Sequence, residues 1–448
     1  MATLARRLRS LDYFTLAFGT MVGVGWLVVM DDWLRRGGPF GAMLGFVIGG
    51  AALLPIGYVY GRIIAVIPDA ASEIAYTAKS FSPGVSFATG WMMTLAYFVV
   101  CPWETVAVGK IVAYIIPGLN SIPLYRIGAN TVYLPQLVLG LALTALITAI
   151  NYAGIRPVAN IQNGLTFGLL ATFAIFLIAG ATRGSPRNLR PGFSHGGWIS
   201  VLLVVQIVPY FMTGFESVAK CVEEAATGFE ARRLFTIIFT AIVVGATFYV
   251  LVIGVVGFVY PWKGLVDSSF ATAVAFERAF GARWIVDLIL AGALVSLLKV
   301  LNGNFVAASR LVFSMGRRRL IDERAGRVHS SRQTPYVAVL LVGFLTAGCM
   351  LLGESILIPI TEVGSMAAAA GWLATCASYL RMRPAWGARS IAILGIMVSA
   401  LLILMKLAPF VPGHFTHREY LALGLWMLAG VAVSWPTRSE AWAIRAKG

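Results

Sequence analysis

The chain has 448 residues, of which 59% are hydrophobic and 12% charged, and its mean hydropathy is +0.83. A soluble domain carries roughly 25% charged residues, so the material that would cover a water-facing surface is missing, which excludes soluble enzymes, coiled coils, disordered scaffolds and secreted disulfide modules. The balance of 35 Lys and Arg against 19 Asp and Glu gives +16; in an apolar chain that excess reads as a positive-inside bias, and no nucleic-acid partner is expected.

Long apolar runs rather than short alternating strands make the fold class all-α and polytopic. Stretches of bilayer-spanning length fall at about 12–33, 40–67, 84–116, 133–151, 161–181 and 199–222, then at about 235–260, 284–313, 336–352, 356–380, 390–408 and 419–435. The first follows Arg6, Arg7 and Arg9 and is too long for a signal-peptide core, so it is read as a span. About twelve spans put both termini on one side. With that side cytoplasmic, the inside set takes the run Arg317, Arg318, Arg319, Arg324, Arg327 and Arg332, then Arg381, Arg383 and Arg389, and finally Arg438, Arg445 and Lys447. The bias is roughly two to one, and the location is a cytoplasmic membrane. The run at 317–319 reads as a topology signal with anionic-lipid contact. Cys101, Cys221, Cys349 and Cys376 lack CxxC spacing, and His195, His329, His414 and His417 lie in loops. No metal site, cofactor or enzymatic constellation is expected from them.

Two spans are interrupted. Span 1 reads Phe18-Gly19-Thr20-Met21-Val22-Gly23-Val24-Gly25-Trp26, and span 6 reads Pro209-Tyr210-Phe211-Met212-Thr213-Gly214-Phe215-Glu216-Ser217. A lone glycine in a membrane helix usually serves close packing. These two segments, however, hold the same place in two five-span units, and an odd number of spans per unit makes the second copy inverted. Interrupted spans at matching positions point to a transporter binding site, because an unwound helix frees amides and carbonyls that hydrocarbon cannot satisfy and a polar substrate can.

These residues resemble the amino acid–polyamine–organocation permeases over nearly the whole chain. Residues 19–25 are similar to that family's G-[ST]-x-[IV]-G-x-G segment. Phe215-Glu216-Ser217 followed by Glu223-Glu224 resembles its span 6 pattern, and Asn302-Gly303 with residues 309–317 resembles its span 8 ending. The chain departs from the pattern at Ala70-Ala71, at Arg62 and at Trp26. The resemblance implies an inverted five-plus-five core within residues 1–383 (repeat one about 11–182, repeat two about 198–383) and a two-helix hairpin and tail at 384–448. It also implies rocking of spans 1, 2, 6 and 7. A substrate carboxylate would meet amides around residues 22–25; an amine would meet carbonyls of residues 211–214 and around Thr20.

Three ionisable residues fall near span centres: Glu104, Glu216 and Lys299. Each is costly in hydrocarbon and needs a partner or a wet cavity. Glu216 follows a helix break, so it suits either the new helix start or substrate and proton contact. Glu104 suits a buried ion pair with Lys299, a cationic substrate group or a proton. By resemblance, sodium-coupled relatives hold an ion between spans 1 and 8, and Lys299 with Asn302 stands where that ion would be held. A lysine there predicts proton coupling or exchange. Lys406 is expected to snorkel, and Glu362 to line a vestibule or cap a broken helix.

The sequence therefore predicts a secondary transporter for an amino acid or related amine, coupled to protons or working by exchange. Its substrate contacts are Thr20, Met21, Val22, Gly23, Val24, Gly25, Trp26, Glu104, Phe211, Met212, Gly214, Phe215 and Glu216. A polyamine or monoamine permease using Glu104 and Glu216 for the cationic groups is the alternative within transport, and a transport-dead nutrient sensor the alternative outside it.

Overall fold

The computed structural model describes residues 4–127, 130–268 and 270–445, apart from the side chains at 354–356, 358 and 435–445. Lys447 and the side chains of Arg438 and Arg445 lie outside the described residues. Among the described residues, nine helices are long and apolar enough to cross a bilayer. Three further spans bring the total to twelve: the broken span 6, the shorter helix Tyr336–Met350 and the helix His417–Arg445.

Proline and glycine divide the helices where their chemistry requires. Met30–Val66 is interrupted at Gly38, whose φ of 61° is left-handed and is followed by Pro39. The first segment therefore continues span 1, and span 2 starts beyond it. Span 3 is split between Pro83–Phe98 and Val100–Ile115; Pro102 has no N–H to offer the carbonyl of Phe98. Span 8, Arg283–Arg317, is unbroken over about 50 Å. Spans 1, 3, 8 and 10 are mostly buried, whereas Leu134–Ala153 and Trp386–Leu407 turn apolar side chains such as Leu146, Met397 and Leu404 outward, as lipid-facing helices do.

Not all the connections are irregular. Glu73–Ser80 and Ala271–Phe280 are helices, and Pro123–Ile127 pairs antiparallel with Asn130–Tyr133 in a small hairpin. Tyr125 Oη donates to the carbonyl of Leu351 at 2.6 Å, tying the hairpin to the end of span 9. On the opposite face, the N-terminal arm lies along the connection after span 6. The amides of Arg7 and Leu8 donate to the carbonyl of Glu224, and Ala226 N–H returns a bond to Leu8.

Both interrupted spans are discontinuous helices. Span 1 runs Ser10–Met21, unwinds over residues 22–24 and resumes at Gly25–Val28. Span 6 runs Gly197–Val205, Val208–Met212 and Ser217–Lys220. The main break of span 6 turns on Gly214, with φ of 125°, where a Cβ would lie 2.8 Å from the carbonyl carbon of Thr20 and 2.9 Å from the amide nitrogen of Met21. Gly214→Ala is thus expected to strain the backbone and wedge spans 1 and 6 apart, costing about 1–3 kcal/mol. A thermal unfolding midpoint unchanged from the unaltered protein would contradict this.

Candidate functional site

Unwinding span 1 frees four carbonyls and the matching amides, and their partners can be followed one by one. Lys299 Nζ donates to Gly19 O at 3.1 Å and to Val22 O at 2.5 Å, and Ser296 Oγ donates to Val22 O at 3.4 Å. Tyr249 Oη accepts from Gly23 N–H at 3.2 Å and lies 3.5 Å from Met21 O and 3.2 Å from Phe211 O, so one phenol joins the breaks of spans 1 and 6. Among the described residues, the carbonyl of Thr20 and the amides of Val24, Gly25 and Trp26 find no partner.

Thr20, Val24 and Gly25 line a cavity of ≈ 100 Å³ between the two breaks. Its walls also include Met21, Gly23, Trp103, Glu104, Tyr210, Phe211, Thr213, Tyr249, Asn304 and Ser365. Gly25 lets the Phe211 ring close the cavity, since a Cβ there would stand 2.5 Å from the ring edge. Glu104 is buried, and its Oε2 has no hydrogen-bond partner among the described residues. Val28, Trp103 and Ala107 are shared with a more polar vestibule of ≈ 770 Å³ on the face away from the N-terminal arm.

Of the expected site residues, Thr20, Met21, Gly23, Val24, Gly25, Glu104 and Phe211 meet at this cavity. Val22 contributes its carbonyl to Lys299 instead. Trp26 turns away from the cavity. Its ring packs edge-on to Phe176 at 6.0 Å, and its carbonyl accepts from Thr272 in the helix Ala271–Phe280 at 2.5 Å. Met212 and Gly214 pack at helix crossings, against Gly50 and Thr20 respectively. Phe215 lies between Tyr60 and Trp372. Glu216 bends back on its own break, its Oε2 accepting from Gly214 N–H at 3.2 Å. Asn302 ties span 8 to span 5, donating to Gln162 Oε1 at 2.8 Å and Val158 O at 3.3 Å.

Among the described residues no ion pair joins Glu104 to Lys299; the ammonium is spent on the carbonyls of Gly19 and Val22. Lys406 does not snorkel either: it is buried and pairs with Glu362. Sequence reasoning missed Tyr249, Thr213, Asn304 and Ser365. Tyr249 had a signal, a phenol in the middle of an otherwise strongly apolar span. The other three are small polar residues of a kind common in membrane helices.

Toward the N-terminal arm the cavity is closed by packed aromatics and ion pairs. Lys220 meets Glu73 at 2.5 Å with both side chains fully buried, Tyr60 Oη donates to the same carboxylate at 2.6 Å, and the Tyr97 ring lies 4.9 Å from the ammonium. Arg310 grips Glu224 through two bonds of 2.8 and 3.1 Å, also fully buried. Nearer the surface Arg317 holds Glu223 at 2.6 and 2.7 Å, and Arg318 holds Asp69 at 2.5 Å. Partial burial would raise the Glu223 carboxyl, but the bonds from Arg317 and Ala70 N–H outweigh it and hold the group below the usual carboxylate range.

The sequence matches the amino acid permease family over residues 12–412. It is 25% identical over 373 residues to a branched-chain amino acid permease of Bacillus subtilis, covering 81% of this chain and 77% of that protein. A methylthioribose transporter of the same organism is 25% identical over 375 residues, covering 82% and 79%. Cationic amino acid transporter 4 of Mus musculus is 26% identical over 380 residues, covering 82% of this chain and 58% of that protein.

Proposed function

Because the chain belongs to the amino acid permease family, and is thus a multi-pass membrane transporter rather than an enzyme, we propose that it carries an amino acid across the plasma membrane by alternating access. The observation that carries this reading is the cavity at the two breaks, where, among the described residues, a carbonyl and two amides remain free beside a carboxylate whose Oε2 has no hydrogen-bond partner. A zwitterion answers that set: its carboxylate suits the amides of Val24 and Gly25, and its ammonium suits Thr20 O and Glu104. The rocking unit is spans 1, 2, 6 and 7, the repeats are inverted halves of residues 1–383, and the Arg-rich face bearing both termini is cytoplasmic.

Coupling is to protons or to a counter-substrate, not to sodium. The support is Lys299, whose ammonium already occupies two carbonyls of the span 1 break. The polyamine reading asks for two carboxylates at the substrate. Of its pair, Glu104 lines the cavity and Glu216 does not, which favours the amino acid. The relatives include a branched-chain amino acid permease and a cationic amino acid transporter, so a panel of both kinds is the relevant test. Purified protein in proteoliposomes is expected to take up or exchange members of that panel, driven by a proton gradient or internal amino acid and indifferent to sodium. Thermal stabilisation should follow binding. Stabilisation by diamines lacking a carboxylate, with none by amino acids, would overturn the substrate class.

A further inference from the structure

On the face that carries the N-terminal arm, a pocket of ≈ 570 Å³ opens between the end of the helix Glu73–Ser80 and the end of span 10. Lys79, Ser80, Leu380, Arg381, Met382 and Arg383 line it, so three cations face one concavity and, among the described residues, no acid shares its wall. We propose that this pocket binds the phosphate headgroup of an anionic phospholipid from the surrounding bilayer.

Two helices end here, and their last carbonyls draw cations for their own sake. Arg381 meets that demand: it donates to Ser80 O at 2.6 Å and stacks over the Phe81 ring at 4.6 Å. Lys79 and Arg383 take part in no ion pair among the described residues. The neighbouring run of arginines differs in this respect, because Arg317, Arg318 and Arg319 are matched by Glu223, Asp69 and Glu323.

The pocket's height in the membrane is fixed by a second observation. Arg381 is the last residue of span 10, and Trp386, 81% exposed, opens span 11 five residues later. An exposed indole at a helix end suits the headgroup layer, and Ile393, Leu394 and Met397 beyond it are exposed as lipid-facing residues are. The cations thus stand where lipid phosphates lie, with Leu380 and Met382 beside them for the glycerol and first methylenes. A basic pocket between helix ends on this face is a recurrent way of holding such headgroups.

The test uses the full chain in neutral detergent, with thermal unfolding followed as phosphatidylglycerol, phosphatidylcholine or inorganic phosphate is added. Phosphatidylglycerol alone is expected to stabilise. The double variant Lys79→Gln/Arg383→Gln should unfold like the unaltered protein in phosphatidylcholine but bind phosphatidylglycerol about 30-fold more weakly, the effect of removing two interfacial cations. The charge-matched Arg324→Gln/Arg327→Gln variant, altered in exposed residues of the same face, should bind as before. Three results would each overturn the proposal. One is an undiminished response in the pocket variant, and another is an equal loss in the charge-matched variant. The third is equal stabilisation by inorganic phosphate, which would assign the pocket to a soluble anion.

Discussion

Lys220→Met is expected to destabilise the folded protein by about 3–5 kcal/mol, the usual effect of stripping one partner from a buried ion pair. Glu73 is fully buried, its Oε1 shared by Lys220 and Tyr60 and its Oε2 without a partner among the described residues. Without the ammonium, that carboxylate has only a phenol to answer its charge, and Glu216 stands nearby, equally buried. Adding Glu73→Gln removes the uncompensated charge, so the double variant should be clearly more stable than Lys220→Met alone. Groups in contact couple by about 0.5–3 kcal/mol. Denaturant unfolding in detergent of both single variants and the double variant measures the term, and simple additivity would show that the pair is not coupled. The pair also ties the half-helix Ser217–Lys220 to the helix Glu73–Ser80 beneath the cavity. A stable double variant therefore separates the folding role of the pair from any role in opening this face.

What could be read from the sequence follows from what hydrocarbon forbids. Apolar runs must be helices there, so most spans were legible to within a few residues, although span 5 starts earlier, at Ile155, and the last helix runs on to Arg445. Gly19-x-x-x-Gly23-x-Gly25 and Pro209 with Gly214 marked the two breaks, because few other residues permit them. Lys299 was legible as a cation that had to meet something polar. The partner was not, because Glu104 and the span 1 carbonyls are equally plausible until the register of span 8 against span 1 is known. Side-chain direction failed for the same reason. Trp26 and Phe215 stand within one turn of the breaks, yet a helix residue's direction depends on the local unwinding, and both point into packing. Glu73 carried no signal, since it falls in a connection that reads as polar loop. Its role depends on Lys220, 147 positions along the chain.

Lys299→Met should reduce uptake to about a tenth or less and lower the unfolding midpoint, because methionine fills the space of the lysine's aliphatic stem but donates nothing. Gly19 O has lost its helical partner, as Gly23 N–H is turned to Tyr249, and Val22 O has lost its own at the same break. Lys299 serves both. A buried carbonyl left bare costs about 1–3 kcal/mol, so the two together are enough to weaken the geometry of the break about tenfold or more. The cavity amides at Val24 and Gly25 depend on that geometry, so binding and transport should fall together. In the variant, the two carbonyls and the Ser296 hydroxyl form an oxygen set suited to a hard cation. Sodium is accordingly expected to recover part of the variant's stability while leaving the unaltered protein's midpoint where it was. Strict sodium dependence of uptake by the unaltered protein is the result that overturns the assignment, since an ammonium and a sodium ion cannot hold the same two carbonyls at once.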